Sequence, residues 1–322
     1  VTARAIETEG LRKEFGQAVA VEGIDLTVPE GAIHGFLGPN GAGKTTTIRM
    51  LTTLIRPTSG RASIFGHDLV RDAGAVRACM SVTGQYASLD NGLTGVDNLV
   101  LVGRLQGHPR KAARGRAVEL LEAFGLAEAA DREVKHYSGG MRRRLDIAAS
   151  IVVKPRLLVL DEPTTGLDLH SRERVWEAVR GLATLGTTVL LTTQYLEEAD
   201  QLADRLVVID RGRVIADGTP AELKAATGTG TLHVRLADAR DDKRARLLLA
   251  GVLAAPLRPS GDPVVLVVGP IEPSSALGAL SELDRAGISV AGFEVGQPSL
   301  DEVFLALTDS ASEPATTLEV VR

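Results

Sequence analysis

Cysteine is almost absent from this chain of 322 residues. Cys79 is the one thiol, so neither an internal disulfide nor a Cys-x-x-Cys metal clasp can be built, and a reducing compartment is expected. Aromatic residues make up only 3% of the sequence, which leaves Val, Leu, Ile and Ala to fill the core. Long apolar runs are missing too: stretches such as 157–160 (LLVL) and 264–268 (VVLVV) fall far short of the ~20 residues that a membrane-crossing helix needs. No basic-then-apolar leader is legible at Val1, so secretion is not expected. Positive charge is not in excess either, with 36 Lys and Arg against 41 Asp and Glu and a formal charge of −5. That balance argues against a protein whose main work is to coat nucleic acid. Charged residues at 24% and hydrophobic ones at 44% exclude disordered and fibrous classes, and the length points to two domains.

What is present is an alternation of short branched-apolar runs with helix-compatible stretches. Residues 32–37 (AIHGFL), between Pro29-Glu30-Gly31 and a glycine-rich loop, read as a buried strand; 157–160, 188–191 and 206–210 read likewise. Strands separated by helices predict a mainly parallel sheet covered on both faces. The strand signal fades between about 86 and 155, where runs such as 111–124 favour helix, so a helical subdomain is expected between two core strands. Residues 6–15 and 19–28 predict a small antiparallel layer. The stretch 225–230 (AATGTG) reads as a linker. Beyond it, strands are expected at 231–236, 264–268 and 288–295 and helices at 242–253, 274–286 and 299–308. The expected division is therefore 1–228 and a small α+β domain at 229–322, with a frayed tail after Ser310.

Gly38, Pro39, Asn40, Gly41, Ala42, Gly43, Lys44 and Thr45 follow the strand 32–37 and match GxxxxGK[ST], with Thr46 continuing into a helix. Glycines let consecutive backbone N–H groups turn inward around an anion, and the helix N-terminus adds partial positive charge. Lys44 would reach the β- and γ-phosphates of a nucleotide, and the Thr45 hydroxyl would ligate Mg²⁺. The strand 157–160 ends in two acids, Asp161 and Glu162, at the sheet edge where α/β proteins bind ligands. Asp161 suits Mg²⁺ coordination, and Glu162 suits the base that polarises an attacking water.

Tyr137, Ser138, Gly139, Gly140 and Met141 precede a helix-compatible run about twenty residues before Asp161. This segment resembles the LSGGQ signature of ATP-binding cassette (ABC) ATPases, with Tyr137 and Met141 replacing the usual end residues. Gln85 matches the Q-loop, Gly166-Leu167-Asp168 the D-loop, and Phe15 the adenine-stacking aromatic, in the family's order. The resemblance covers roughly residues 5–223. It implies an α/β fold: a P-loop NTPase cassette of mainly parallel sheet, antiparallel β layer and helical subdomain, with a small C-terminal α+β domain. It further implies a head-to-tail dimer in which the signature of one copy caps the ATP held by Lys44 of the other. Gln85 would reach the metal and water, and Asp168 would contact the opposite subunit. The implied partner is a separate integral-membrane permease, which places the chain at the cytoplasmic face of the cell membrane, with no nucleic acid involved. Arg142, Arg143 and Arg144 are expected on a solvated helix face or at an interface.

One departure stands out. Where the family usually carries a histidine that touches the γ-phosphate, this chain has Gln194, whose amide can donate a hydrogen bond but carries no charge. With Gly84-Gln85-Tyr86 and residues 196–200 (LEEAD), it is similar to the daunorubicin-resistance branch of drug exporters. In that branch the motif 299–305 (SLDEVFL) marks an accessory domain that regulates or docks the cassette; locally it reads as a helix start capped by Ser299 and Glu302. Export of lipids, polyketides or peptides is the alternative cargo. A non-transport ABC ATPase is the alternative function, weakened by a single phosphate loop and the lack of sustained heptads.

Overall fold

The computed structural model describes residues 3–83, 89–226 and, with breaks at 259, 261, 263, 270, 297, 298 and 302, residues 230–304. Contacts divide the chain into two compact units, 1–217 and 218–322.

In the first unit the elements run β1 (Arg4–Phe15), β2 (Ala18–Pro29), β3 (Ile33–Leu37), α1 (Lys44–Leu51), β4 (Ser59–Ile64) and β5 (His67–Asp68). Then come α2 (Ala73–Cys79), β6 (Met80–Thr83), α3 (Gly95–Leu105), α4 (Arg110–Ala123), α5 (Gly139–Ser150) and β7 (Leu157–Asp161). The unit closes with α6 (Leu169–Thr184), β8 (Thr188–Thr193), α7 (Leu196–Leu202), β9 (Arg205–Asp210) and β10 (Arg213–Gly218). The main sheet has the order β10-β9-β3-β8-β7-β6, and β9, β3, β8, β7 and β6 pair in parallel. A second, antiparallel sheet has the order β2-β1-β4-β5.

Every residue of β3, β7 and β8 is buried: the pleat sends successive side chains to two faces that are both covered, so their apolar residues do not alternate with exposed polar ones. Leu157 and Val159 of β7 and Leu190 of β8 point to one face, into a core with Ile6, Val28, Ile48 and Leu51 of the antiparallel layer and α1. Leu158, Leu160, Val189 and Leu191 point to the other, against Val175 and Val179 of α6 and the helices of the insertion. Between β6 and β7 the described residues form helices and short 3₁₀ turns, as the fading strand signal predicts.

Strands β4, β5, β6 and β10 escape the sequence reading, and their character explains it. β4 (SGRASI) carries only two buried residues, and β5 is two residues long. Such strands are held by their neighbours, not by an apolar pattern of their own.

The second unit contains α8 (Pro220–Ala226), β11 (Thr231–Leu236), α9 (Asp242–Leu253), β12 (Leu257–Arg258), β13 (Val265–Val268), α10 (Pro273–Arg285) and β14 (Val290–Gly296). Its antiparallel sheet has the order β12-β13-β11-β14. Leu232, Val234, Leu266 and Val268 bury one face against Ala245 and Leu249 of α9 and Ala276, Ala279 and Leu283 of α10. Of the expected helix at 299–308, residues 302 and 305–308 lie outside the described residues, Glu302 and Leu307 included; 300, 301, 303 and 304 are helical, and Leu300 and Val303 are buried.

No helix among the described residues is long and apolar enough to cross a membrane.

Candidate functional site

Because β3, β8 and β7 are parallel neighbours, their carboxyl ends line up, with Leu37 beside Thr193 and Thr192 beside Asp161. The glycine loop after β3, Gln194 after β8 and the acid pair ending β7 therefore share one edge of the sheet. Gln194 lies between the other two. Gln85 follows β6 but lies outside the described residues.

The loop from Gly38 to Gly43 is shaped by close approaches that only glycine permits. A Cβ on Gly38 would stand 2.2 Å from the Ile209 carbonyl oxygen of β9. Gly43 has φ +106°, and its Cβ would meet the Ala20 carbonyl oxygen of β2 at 2.7 Å. No side chain caps α1 at Gly43, so the helix N-terminus is left to an outside acceptor. Pro39 and Asn40 are exposed, and Ala42 is buried, its carbonyl accepting at 2.8 Å from the Gly212 amide in the turn between β9 and β10. Thr45 and Thr46 are half-buried in the first turn of α1. Lys44 is buried, and its ammonium donates to the Gly38 carbonyl at 2.6 Å and the Pro39 carbonyl at 3.0 Å. Burial lowers its pKa, against the opposing pull of Glu162 and Asp161. Cation and acids thus share one site.

Asp161 is buried, and its Oδ1 accepts a hydrogen bond of 2.6 Å from the Thr192 hydroxyl. Glu162 follows in the left-handed region, with φ +47°, a conformation costly to a residue with a β-carbon. Its amide donates to the Thr192 carbonyl and to the Thr192 hydroxyl oxygen, both at 3.1 Å, and its Oε2 accepts from the Thr165 hydroxyl at 3.3 Å. Thr192 thereby orients both acids, yet nothing in its own neighbourhood of the sequence signals this; it becomes visible only when β8 lies beside β7.

The signature segment splits into an anchor and an exposed turn. Tyr137 is buried in the helical core, its hydroxyl donating to the Ala129 carbonyl at 2.7 Å, and burial raises its pKa. Ser138 and Gly139 are exposed, and Ser138 caps α5 by accepting from the Met141 amide at 3.2 Å. Met141 packs against the helical core. Gly140 faces the D-loop, where a Cβ would sit 3.5 Å from Leu167 and 3.9 Å from the Asp168 carboxylate. Asp168 caps α6, accepting from the Ser171 amide and hydroxyl at 2.9 Å each, which lowers its pKa. Phe15 stands 53% exposed at the end of β1, with the Lys13 ammonium 5.0 Å from its ring centre.

The three arginines after the signature are not a solvated face. Arg142 donates to the Lys135 carbonyl at 3.0 Å and Arg144 to the Phe124 carbonyl at 2.7 Å. Arg143 donates to the carbonyls of Asp161, Glu162 and Pro163. The α5 helix lies against other elements of its own chain, so the solvated-face half of the expectation fails. A cavity of about 480 Å³ opens beside them, lined by Gly139, Asp146, Glu162 and Gly166 among others.

Known proteins are similar to this chain in sequence and in fold. Residues 21–165 match the family model described as "ABC transporter". The daunorubicin/doxorubicin resistance ATP-binding protein DrrA of Streptomyces peucetius is 57% identical over 316 residues, covering 98% of this chain and 96% of that one. The chain belongs to this family of ABC transporter ATP-binding proteins. Doxorubicin resistance ATP-binding protein DrrA of Mycobacterium tuberculosis is 44% identical over 320 residues, again 98% and 96% of the two chains. A solved structure, an ATP-binding subunit of an ABC transporter, superposes with a TM-score of 0.63 at 27% identity, covering 69% of this chain and 92% of that one. The ABC cassette therefore binds ATP and, as an ABC transporter ATPase, couples its hydrolysis to transport. The loop of Gly38–Thr45 and the acids at 161 and 162 are the parts of the fold suited to that chemistry.

Proposed function

We propose that this ABC ATPase energises efflux of an anthracycline-like drug through a separate membrane permease, at the cytoplasmic face of the cell membrane. The observation that carries the reading is 57% identity to a daunorubicin/doxorubicin resistance ATP-binding protein across 98% of the chain, C-terminal unit included. Two copies stack head to tail around ATP. Phe15 stacks on adenine, the loop amides of 38–46 and Lys44 hold the phosphates, and Ser138, Gly139, Gly140 and Met141 cap the nucleotide of the opposite copy.

Glu162 polarises the water that attacks the γ-phosphate, and Gln194 donates its amide hydrogen to a γ-phosphate oxygen. Lys44 meets charge that builds on the phosphoryl group as the bond to ADP breaks. Asp168, on the exposed D-loop, contacts the opposite copy. No group of three or more His, Cys, Asp or Glu side chains among the described residues could hold a metal alone. That fits Mg²⁺, which takes one or two carboxylates and completes its shell with water and phosphate oxygens. Asp161, Thr45 and Gln85 would hold it, and its charge would offset that of the phosphates.

The test is co-expression with a candidate permease from the same genome, reconstitution in vesicles, and assay of ATP hydrolysis against a compound panel. Stimulation by daunorubicin or doxorubicin, with ATP-dependent uptake into inverted vesicles, is expected. Stimulation by lipids or peptides alone would overturn the drug assignment, and hydrolysis indifferent to any permease would overturn the transport role.

A further inference from the structure

We infer that Arg143 is a positioning residue for hydrolysis, holding the backbone of Asp161, Glu162 and Pro163 so that the Glu162 carboxylate stays where turnover needs it. The inference rests on the reading of Glu162 as the group that polarises water.

The geometry starts from the unfavourable backbone of Glu162. A residue with a β-carbon stays at φ +47° only where its surroundings over-determine it. From the β8 side, Thr192 takes the Glu162 amide with both its carbonyl and its hydroxyl oxygen. From the α5 side, one guanidinium takes three consecutive carbonyls. Arg143 Nε donates to Pro163 at 3.0 Å, and one terminal nitrogen donates to Asp161 at 2.9 Å and to Glu162 at 3.2 Å. The turn is thus gripped by its amide on one side and by its carbonyls on the other.

Few side chains could do this. Arginine presents five N–H donors in a rigid planar fork, whereas lysine offers one nitrogen on a flexible stem and an apolar residue would leave buried carbonyls unpaired. The arginine side chain is itself only 15% exposed, with Asp146 one turn along α5 at 3.7 Å. It faces the backbone of the acid pair and is therefore a support, not a phosphate ligand. Arg143 also stands on the helix that Ser138 caps, so a shift of the signature turn carries the guanidinium with it. The signature of a chain, which caps the opposite copy's nucleotide, is thereby tied to the hydrolytic acid of its own site.

The experiment uses the full-length chain and measures steady-state ATP hydrolysis, ATP affinity and thermal unfolding for Arg143→Ala, Arg143→Lys, Glu162→Gln and Arg143→Ala/Glu162→Gln. In Arg143→Ala, kcat is expected to fall about 10- to 100-fold while KM for ATP stays within about 3-fold, as for a group acting only on the reacting geometry. Arg143→Lys should recover part of the loss. In the Glu162→Gln background, Arg143→Ala should remove little more, since both act through one carboxylate. An unchanged kcat in Arg143→Ala, a rise in KM with kcat preserved, or losses that multiply in the double variant would each overturn the inference. Should Arg143→Ala fail to fold, Arg143→Lys decides alone: lowered kcat at constant KM supports it, and wild-type kcat overturns it. If Glu162→Gln itself turns over normally, the reading of Glu162 fails; if only Arg143→Ala does, Glu162 stands and Arg143 falls.

Discussion

In the proposed mechanism Glu162 brings a carboxylate and Gln194 an amide to the same phosphate. Glu162→Gln keeps the shape and removes the base; hydrolysis should fall by about 10²–10⁴-fold. ATP should still bind and should trap a stable dimer, seen by size-exclusion chromatography with ATP. A variant that remained monomeric with ATP and turned over normally would remove Glu162 from the scheme. Gln194→Ala should slow turnover, and the wild-type pH–rate profile should carry no ionisation belonging to position 194, because an amide does not titrate. Unchanged turnover in Gln194→Ala would end its catalytic assignment.

His34 in β3 is buried, and neither ring nitrogen has a hydrogen-bond partner among the described residues. Desolvation, reinforced by Arg205 and opposed by Asp204, lowers its pKa to about 4. The folded chain therefore keeps the ring neutral, while the unfolded chain takes up a proton near the usual 6.5. Below that pH the unfolded state binds the extra proton, so stability is fully present above about 6.5 and drains away toward 4. The full effect is about 3 kcal/mol. Urea unfolding at several pH values should show the decline, and His34→Leu should flatten it; parallel curves for the two would show that His34 does not drive it.

Among the elements, the loop that follows β3 and the first turn of α5 make opposite demands on their glycines. Gly38→Ala would drive a methyl against the Ile209 backbone, which cannot swing aside, and should destabilise the cassette by about 1–3 kcal/mol with loss of ATP binding. Gly139→Ala meets nothing within 4 Å and should leave the thermal midpoint unchanged. Any fall in turnover there would then report the contact with the opposite copy's nucleotide. Thermal melts and nucleotide binding on both variants check the contrast, which equal destabilisation would contradict. Helices α6 and α7 are tied by the Trp176 indole donating to Glu198 at 3.2 Å and by Arg172 lying 5.0 Å over the Tyr195 ring. The residue beside Gln194 is thus linked to the helix that Asp168 caps.

At the scale of the whole molecule, the chain divides into two compact units. The second has its own buried core of Leu232, Val234, Leu249, Val268 and Leu283. Truncation after Gly228 should leave ATP binding unchanged and weaken co-purification with the permease. Measuring nucleotide affinity and pull-down yield together tests this, and normal co-purification of the shortened chain would refute it.

The phosphate loop, the acid pair and the buried strands were legible because their information is local. A strand, a glycine turn and a helix follow one another between residues 33 and 51, and a strand buried on both faces announces itself by a run of apolar side chains. The scarcity of cysteine and of long apolar runs likewise bounded the chemistry before any fold was known. Thr192, Arg143 and the strands β4, β5, β6 and β10 were not legible. Their roles depend on which strand lies beside which, and on a helix from the insertion reaching the end of β7. An arginine run looks the same in sequence whether it faces water or three carbonyls. Composition and local order determined that this chain handles a nucleotide; only the packing of α5 and β8 around residue 162 decided what holds its acid in place, because hydrogen bonds between distant segments exist nowhere but in the folded chain.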